Sequence, residues 1–489
     1  MSSPRFPAAL AAGKLCAAAC KAFFPKRGSN MPGAIALRLD PLFLRHVKGI
    51  DPAKTVFVTG TNGKSTANNM IAHVLDTAGR SVCSNIEGAN MKPGVATALL
   101  KHAGAGGRFK AEYLVLEIDE RSLASIADDL RPGILCVTNI QKDQVQRNGD
   151  PDYIYQKIKA VTNRANGVTL CVNNDEPRSK SLAAFAAQAV DAEGTEGAAA
   201  TDDKEGIGKE GTAGTKGVRA VSFGVAQNAR ASKVEEDWGV TMPCPLCHDA
   251  LVFSHYNLAG VGAFHCPACG FSSDAQPDTQ VIDVDFESES FRICGKDGRY
   301  GDMAFRLAYP AAFFLYNYSL CACVCAELGI DATALRQAFE TFTNIGGRME
   351  SFSHAGKTVR YMRIKQENPE TLQSALDTMA EDRKEKVFAC GPAVVDDIIP
   401  HYSNTFYTFD CNFAPLIESG VERCICFGRT ISWDMANRLR YAGFPDEKIE
   451  VLDTDDDEKI LAAIAATKSD NIYLITWIKK YEKLKRRAG

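Results

Sequence analysis

Residues 55–66 read Thr-Val-Phe-Val-Thr-Gly-Thr-Asn-Gly-Lys-Ser-Thr, and this stretch is the most informative part of the sequence for predicting the fold. The β-branched and aromatic residues at its start predict a buried strand. Gly60 and Gly63 predict a turn whose N–H groups point inward, and Lys64 adds a positive charge where a helix begins. Such a turn can cradle a polyphosphate, with the hydroxyl of Ser65 placed to hold a Mg²⁺ ion. The stretch therefore predicts a phosphate-binding loop between a strand and a helix.

The bulk composition is that of an ordinary soluble protein. The chain has 489 residues, of which 45% are hydrophobic and 24% are charged, and its formal net charge is −4. This length predicts about three domains. A negative net charge argues against general nucleic-acid binding, which usually needs a basic surface.

The placement of the 17 cysteines indicates a reducing compartment. Four of them form two Cys-x-x-Cys pairs, whereas Cys136, Cys171, Cys390, Cys424 and Cys426 lie in apolar, strand-like runs. That pattern is more typical of reduced thiols in a core than of a secreted disulfide framework. We therefore expect a cytoplasmic protein.

The N-terminal segment, residues 1–48, is expected to be helical. Residues 6–24 are rich in alanine, but Lys14 and Lys21 interrupt them and no clean cleavage site follows, which disfavours a signal peptide. We interpret this stretch as an amphipathic helix that packs on the central domain. Peripheral contact with the inner face of a membrane is the alternative.

Strands and helices then alternate through the central domain, residues 49–343. Short apolar runs at 56–59, 81–85, 113–118, 134–138 and 169–173 are separated by helical stretches. This alternation predicts a parallel sheet covered on both faces, with the ligand at the carboxyl ends of the strands.

Two stretches interrupt this alternation. Residues 192–217 are low in complexity and almost free of large apolar side chains, so we expect a surface loop there. Cys244-Pro-Leu-Cys247 and Cys266-Pro-Ala-Cys269 have the spacing of the two knuckles of a zinc ribbon, spanning about residues 236–278. Four cysteine ligands leave no open position, so the predicted zinc is structural.

The final segment, residues 344–489, predicts a smaller C-terminal α/β domain. Its expected strands are 387–390, 405–409, 423–427 and 472–475, and its basic end, 479–487, reads as a solvated helix face.

Polar residues follow several of the strands in the central domain. Glu117 ends one strand and Asp143 follows another, and either carboxylate can reach a Mg²⁺ ion held on phosphates. Asn173 and Asp175 end a third strand, where an amide and a carboxylate can meet an adenosine. Each of them alone is weak evidence, because exposed carboxylates at strand ends are more often solvent-facing caps. Their order after the phosphate loop favours a nucleotide site.

The motifs together resemble the Mur ligase family. The loop form Thr-Gly-Thr-Asn-Gly-Lys-Ser carries the resemblance, because the general nucleotide loop has glycine where this chain has Val58. Further matches are Gly88-Ala-Asn90, Leu116-Glu-Ile-Asp-Glu120, Lys142-Asp-Gln144, Asn173-x-Asp175-x-Pro177, Leu315-Tyr-Asn317, Gly347-Arg348-Met-Glu350 and Tyr441-Ala-Gly443. The four-Cys insertion points to an amidating branch of the family, since the amino-acid-adding ligases lack it. The implied fold is a Mur-ligase-type α/β protein with a central parallel sheet, a phosphate-binding loop, an inserted zinc ribbon and a smaller C-terminal α/β domain.

The resemblance implies a reaction and its participants. ATP would phosphorylate the α-carboxylate of D-glutamate in lipid II, and ammonia would displace the phosphate to give D-isoglutamine. The ammonia would come from a separate GatD-type glutaminase, with which this chain would form a heterodimer. A third domain closing over the second would shield the acyl phosphate from water.

The resemblance also implies the residues that bind the cofactors. Glu117 is expected to be catalytic and, with Ser65, to hold the Mg²⁺ ion. The remaining implied nucleotide-binding residues are Thr59, Gly60, Thr61, Asn62, Gly63, Lys64, Ser65, Thr66, Asp143, Asn173, Asp175, Asn317 and Arg348.

The C-terminal domain departs from the family pattern at one motif. The family carries Asp-Asn-x-Ala-Asp where this chain has Pro392 at the first acid, so Asp396, Asp397 and Asp410 are the candidates for the catalytic carboxylate. Two alternatives to amidation stay open, and the altered motif favours the second. One is a ligase that joins an amino acid to the carboxylate, and the other is a nucleotide-binding scaffold that has lost catalysis.

Overall fold

Strand β1 (Thr55–Thr59) lies inside a nine-stranded sheet of the described chain, with β4 on one side and β3 on the other. The structure is a computed structural model that describes residues 4–23, 28–85, 89–143, 150–164, 167–185, 217–231, 242–309, 311–343, 349–365, 367–392 and 405–489. The chain divides into two compact units. The first comprises Met1–Gln141 and Asp150–Thr343, and the second comprises Lys142–Gly149 and Asn344–Gly489.

The large sheet belongs to the first unit and is parallel over most of its width. Its strand order is β11-β10-β9-β6-β5-β4-β1-β3-β2. The strands are β2 (Val82–Ser84), β3 (Tyr113–Glu117), β4 (Ile134–Val137), β5 (Thr169–Asn173), β6 (Arg219–Val225), β9 (Thr279–Asp285), β10 (Ser290–Gly295) and β11 (Ala304–Arg306). The predicted parallel sheet is thus confirmed, and only β10 and β11 at one edge are antiparallel.

Helices cover this sheet because its central strands are apolar on both faces. Every residue of β1 and β3 is buried, which is typical of a parallel strand between two helical layers. The helices of the first unit are Phe6–Phe23, Met31–Leu39, Phe43–His46, Lys64–Thr77, Lys92–His102, Leu123–Leu130, Pro151–Thr162, Ala312–Glu327 and Ala332–Thr341. The helix Lys64–Thr77 packs on one face with Ala312–Glu327, while the N-terminal helices pack on the other face around Phe57.

A small hairpin is inserted between β6 and β9. It consists of β7 (Val252–Leu258) and β8 (Val261–His265), which form a separate two-stranded sheet. Its core is small and is built around Leu251, Phe253 and Phe264. Two antiparallel strands with so little apolar surface need a further constraint.

Four cysteine thiols gather at the hairpin and would provide that constraint if they held a metal ion. The sulfurs of Cys244, Cys247, Cys266 and Cys269 all lie within 4.8 Å of one another. The Cys244–Cys269 and Cys247–Cys266 Sγ–Sγ distances are 3.7 and 3.5 Å. Tetrahedral zinc with Zn–S bonds of about 2.3 Å requires sulfurs about 3.8 Å apart, so this donor set fits zinc.

The two knuckles have matching backbones. His248 and Gly270 each follow the second cysteine of a pair and have φ angles of 67° and 75°. Each also donates its N–H to the carbonyl of the first cysteine, at 2.9 Å from Cys244 and 3.0 Å from Cys266.

The N–H of Cys269 helps to lower the pKa of the Cys266 thiol to about 7, whereas, against the N–H of Asp249, burial and the neighbouring thiols raise the pKa of Cys247 to about 12. A bound metal ion would favour the thiolate form of all four cysteines.

The second unit contains a six-stranded sheet in the order β12-β13-β17-β14-β15-β16 among the residues described. The strands are β12 (Met349–His354), β13 (Lys357–Met362), β14 (Lys386–Gly391), β15 (Val421–Phe427), β16 (Ile449–Leu452) and β17 (Asn471–Thr476). Its helices are Pro369–Glu381, Ala414–Ile417, Thr430–Tyr441, Asp457–Ala465 and Ile478–Ala488. The smaller C-terminal α/β domain is therefore confirmed as a fold.

The predicted strand at residues 405–409 is wrong. The chain forms a 3-10 turn there, Phe406–Asp410, in which Tyr407 and Thr408 are buried while Phe406 and Phe409 are exposed. The hydroxyl of Thr408 donates to the carbonyl of Thr405 at 2.6 Å, which closes the turn. The aromatic run resembled a strand in composition but lacks its alternating burial. The low-complexity residues 192–216 and the first residues of the predicted ribbon, 236–241, lie outside the described residues.

We predict that the chain binds one zinc ion through these four thiols, and that Cys266→Ser lowers the zinc content and destabilises the hairpin. Amide hydrogen exchange in β7 and β8 should become at least about a hundredfold faster, because the metal and not the small core holds the strands together. Cys294→Ser is the matched control, since Cys294 is exposed and lies outside the cluster. Unchanged zinc content and unchanged exchange in Cys266→Ser would rule out the zinc assignment.

Candidate functional site

The loop after β1 is shaped by two glycines that permit no side chain. Gly60 has φ 118° and Gly63 has φ 83°. A methyl group on Gly60 would lie 2.4 Å from Oγ1 of Thr138, and one on Gly63 would lie 2.6 Å from Oδ1 of Asn317. Both positions therefore require glycine for conformation and for space.

The loop is held by hydrogen bonds to the segment after β4. The N–H of Thr61 donates to the carbonyl of Asn139 at 2.8 Å, and the N–H of Asn62 donates to Oδ1 of Asn139 at 2.9 Å. The N–H of Gln141 in turn donates to Oγ1 of Thr61 at 2.9 Å. These bonds join the carboxyl ends of two neighbouring parallel strands and fix the loop before any ligand arrives.

The helix Lys64–Thr77 begins directly after the loop without a side-chain cap on its first N–H groups. Uncapped N–H groups at a helix N-terminus, together with the helix dipole, favour an anion. Ser65 is exposed at this first turn, whereas Thr66 is 7% exposed. The predicted positions of Thr59 to Thr66 thus form one continuous cradle, which fits a polyphosphate.

Lys64 is buried within this cradle and pairs with a carboxylate. Its Nζ lies 2.6 Å from Oε1 of Glu120, and it also donates to the carbonyls of Gly60 and Thr61. The side chains of Lys64 and Glu120 are 8% and 6% exposed. An ion pair this deep is weakly screened, so it holds the lysine over the loop.

Glu120 is the functional candidate that the sequence analysis missed. The run after β3 contains three acids, and we expected the first, Glu117, to act at the site. In the structure Glu117 is 4% exposed and its Oε1 accepts from Nδ2 of Asn90 at 2.9 Å. Which acid faces the lysine depends on how the chain turns after β3, and no local motif specifies that turn.

Asn317 brings a second helix to the loop. It lies on the helix Ala312–Glu327 and is 3% exposed, and its Nδ2 has no hydrogen-bond partner within the part of the chain that the structure describes. Leaving a buried amide donor unsatisfied costs on the order of 1–3 kcal/mol. A bound anion or nucleotide would supply the missing acceptor. The unsatisfied amide donor therefore supports the role in cofactor binding that was predicted for Asn317.

Asn173 and Asp175 have structural partners. Asn173 donates to the carbonyl of Thr138 at 2.9 Å. Asp175 accepts from the N–H of Val225 at 2.8 Å and from the hydroxyl of Tyr316 at 2.9 Å. Burial raises the pKa of Asp175. These bonds tie the end of β5 to β6 and to the helix of Asn317, and the adenosine role of both residues stays a prediction.

Asp143 lies in the second unit, where it belongs to a charged cluster. It pairs with Nζ of Lys365 and accepts from Nδ2 of Asn368 at 3.4 Å. The neighbouring Lys142 forms a 2.8 Å ion pair with Asp410, and both side chains of that pair are partly exposed. The structure therefore brings two predicted site acids, Asp143 and Asp410, into one cluster.

Glu370 is a partly buried member of the same cluster. Its Oε2 is inaccessible, and among the described residues this atom has no hydrogen-bond partner. Burial raises the pKa of the Glu370 carboxyl to about 8, and the negative charges of Asp143 and Asp410 add to the shift, which Lys365 opposes. This carboxyl is therefore mostly protonated at neutral pH.

Three predicted site residues, Arg348, Asp396 and Asp397, lie outside the described residues. The roles assigned to them stay predictions. Pro392 is described, and its carbonyl accepts from the hydroxyl of Tyr407 at 3.1 Å.

We predict that Glu370 makes the protein less stable as pH rises. The carboxyl ionises near pH 4.5 when the chain is unfolded and near pH 8 when it is folded, so the unfolded state binds fewer protons between these values. Stability contributed by this group is complete below about pH 4.5 and is lost as pH rises through about 8. The Glu370→Gln variant does not undergo this loss. As pH rises through this window, its free energy of unfolding should therefore increase relative to that of the natural protein by on the order of a few kcal/mol.

Thermal unfolding midpoints measured between pH 5 and pH 9 check this prediction. Glu381→Gln on the same helix is the control, because Glu381 is exposed. A difference between Glu370→Gln and the natural protein that stays constant with pH would contradict the assigned ionisation.

Two family models match the sequence. The Mur ligase middle domain matches residues 58–215, and the MurT ligase C-terminal domain matches residues 366–478. Together they cover more than half of the chain.

Among curated proteins, the chain is similar to enzyme subunits named MurT. It is 26% identical over 419 residues to "Lipid II isoglutaminyl synthase (glutamine-hydrolyzing) subunit MurT" of Staphylococcus aureus (strain COL), covering 85% of this chain and 84% of that one. A subunit of the same name from Streptococcus pneumoniae (strain ATCC BAA-255 / R6) is also 26% identical, over 92% of this chain and 90% of its own length.

Solved structures share the fold at low sequence identity. A pseudomurein peptide ligase type C from Methanothermus fervidus superposes with a TM-score of 0.63 at 18% identity, covering 91% of this chain and 79% of that one. MurF from Acinetobacter baumannii superposes with a TM-score of 0.59 at 12% identity, covering 92% and 80%. From the two family models, the long MurT matches and the shared fold, we conclude that the chain is a MurT-like member of the Mur ligase family.

Proposed function

We propose that this chain is the carboxylate-activating subunit of an amide-forming ligase that acts on lipid II. It transfers the γ-phosphoryl group of ATP to the α-carboxylate of D-glutamate in the stem peptide. Ammonia then attacks the acyl carbon and loses a proton, the C–O bond to phosphate breaks, phosphate leaves, and D-isoglutamine remains in the stem peptide. The observation that carries the proposal is the preformed loop around Lys64, in a chain that matches MurT subunits along most of its length.

The first unit supplies the residues for the phosphoryl step. The N–H groups of residues 60–66 and the ammonium of Lys64 would hold the ATP phosphates, as the resemblance implies, and Asn317 would donate its unpaired amide. Mg²⁺ would neutralise charge on the transferred group, with Ser65 and Glu117 or Glu120 as the available oxygen ligands. Binding of phosphate would compete with Glu120 for Lys64, because one ammonium cannot fully serve both anions.

The nitrogen is proposed to come from a GatD-type glutaminase partner. A catalytic cysteine for glutamine hydrolysis needs a low thiol pKa and exposure. Burial instead raises the pKa of the Cys83 and Cys426 thiols to about 12. Other core thiols, including Cys390 and Cys411, are buried in the same way. These buried cysteines therefore do not offer a nucleophile for glutamine hydrolysis, which is consistent with an external ammonia source.

The decisive experiment is amidation of lipid II by the purified pair of this chain and its candidate glutaminase. Glutamine labelled with heavy nitrogen in its side-chain amide should transfer the label to the stem peptide, in the presence of ATP and Mg²⁺. Mass spectrometry of the product reads the label directly. ATP hydrolysis without label transfer would overturn the amidation, and it would favour a scaffold or another nucleophile.

A ligase that uses an amino acid as its nucleophile is the runner-up. Local similarity to the "UDP-N-acetylmuramoylalanine--D-glutamate ligase" of Phenylobacterium zucineum (strain HLK1), 33% identity over 125 residues, covers only 25% of this chain. Formation of a product with a free amino acid, in the absence of the glutaminase and glutamine, would show that the chain is an amino-acid-adding ligase and not an amidating one.

We predict that Lys64→Ala lowers the rate of ATP-dependent amidation at least about a hundredfold, because it removes the positive charge aimed at the phosphates. Lys110→Ala, at an exposed position of the first unit, should retain full activity. The measurement is phosphate release and label transfer with the complete enzyme.

Loss of Lys64 also leaves the buried Glu120 without its partner, which can destabilise the fold. The double variant Lys64→Ala/Glu120→Gln removes that unpaired charge. It should fold with near-natural stability and remain inactive. Recovery of activity in the double variant would show that Lys64 serves only the fold.

A further inference from the structure

The N-terminal helix, Phe6–Phe23, is apolar on the face that it turns to solvent. Ala8, Ala11, Leu15, Ala18 and Ala22 follow one another at spacings of three or four residues, and all five are exposed. We call these five residues the outer face. Leu15 is 72% exposed. A helix on the surface of a soluble protein normally places polar side chains there, and this outer face has none.

The opposite face of the same helix is fastened to the first unit. Phe6, Ala9, Leu10 and Cys20 are buried in it. A methyl group on Gly13 would lie 2.7 Å from Cδ1 of Leu100, so the helix approaches its neighbour closely. Packing of this kind argues that the helix lies along the protein and does not leave it to cross a bilayer, although its length and composition would allow a crossing.

The N-terminal sequence that contains this helix carries charged residues of one sign. Residues 1–39 contain six basic residues (Arg5, Lys14, Lys21, Lys26, Arg27 and Arg38) and no Asp or Glu, whereas the whole chain has a net charge of −4. Lys21 is exposed on the flank of the outer face, and Phe23 at the helix end is 75% exposed. In the sequence, basic residues and no acidic ones therefore flank a helix whose exposed face is apolar.

We propose that the outer face docks on the anionic surface of a lipid bilayer, with Leu15 and Phe23 entering the headgroup boundary. Apolar side chains flanked by basic ones bind such surfaces by burial of apolar area and by attraction to acidic lipids. Protein interfaces are instead enriched in aromatic anchors at their centre, and four of the five outer-face residues are alanine. The docking needs no ATP and no lipid II, so it stands apart from the proposed reaction.

Vesicle sedimentation with the full chain tests this proposal. Vesicles of phosphatidylglycerol and phosphatidylethanolamine should carry the protein into the pellet, and vesicles of phosphatidylcholine alone should not. Binding should weaken as salt rises, because the attraction is screened. Leu15→Glu should weaken binding to the acidic vesicles at least about tenfold, since it removes a leucine that the bilayer would bury and adds a negative charge.

Tyr441→Glu is the matched control. Tyr441 is 86% exposed in the second unit, so the variant makes the same change of charge on another exposed apolar position. It should sediment like the natural protein. Equal sedimentation of Leu15→Glu and the natural protein, or a natural protein that stays in the supernatant, would overturn the docking site.

Two further outcomes would also overturn it. A dimer of the natural protein that Leu15→Glu converts to a monomer, without vesicle binding, would assign the outer face to a second copy of the chain. Vesicle association that resists high salt and alkali, and yields only to detergent, would show that the helix spans the bilayer. Amidation of a water-soluble stem-peptide analogue, measured in parallel, should be unchanged in Leu15→Glu, so failure of docking and failure of the proposed reaction are distinguishable.

Discussion

The structure depends on the close approach of the loop after β1 to its neighbours. Gly60 lies against Thr138, and Gly63 lies against Asn317, with no room for a single methyl group at either position. This contact joins β1, the segment after β4 and the helix Ala312–Glu327 at one point. The uncapped start of the helix Lys64–Thr77, the buried Lys64 and the unpaired amide of Asn317 meet there as a consequence. The site is therefore formed by the same packing that holds the first unit together.

Buried charge in the two units follows different rules. In the first unit, Lys64 and Glu120 compensate each other, and Asp175 is buried among hydrogen-bond donors. In the second unit, Glu370 has no such donor at Oε2, and its carboxyl retains a proton instead. An ionised carboxylate whose oxygen is shielded from water and from hydrogen-bond donors raises the free energy of the folded state, and protonation removes most of that penalty. The acids that a reaction could use are thus kept in distinct states by their local partners.

The inserted hairpin illustrates how a small element is stabilised without a large core. Its strands bury only a few aromatic and aliphatic side chains, while four thiols gather at its end in two knuckles of matching geometry. In the proposed enzyme this element has no chemical role, because four cysteines would leave a metal no open position. Its Asn257 nevertheless contacts Tyr316, the residue beside Asn317, through a 3.2 Å hydrogen bond. The hairpin therefore buttresses the helix that lines the loop.

Local sequence patterns were enough to predict the parallel sheet, the phosphate-binding loop and the four-thiol cluster, because each pattern consists of residues that are near one another in the chain. Strand burial, the glycine positions and the Cys-x-x-Cys spacing are local patterns with local physical causes. Three features became visible only in the tertiary structure. Glu120 faces Lys64, Asn173 and Asp175 form hydrogen bonds to neighbouring strands and helices, and Glu370 lies in the cluster of Asp143 and Asp410. Residues 406–410 likewise form a turn, because their buried and exposed side chains do not alternate as those of a strand would. These outcomes depend on contacts between distant segments, which residue types and spacing do not encode.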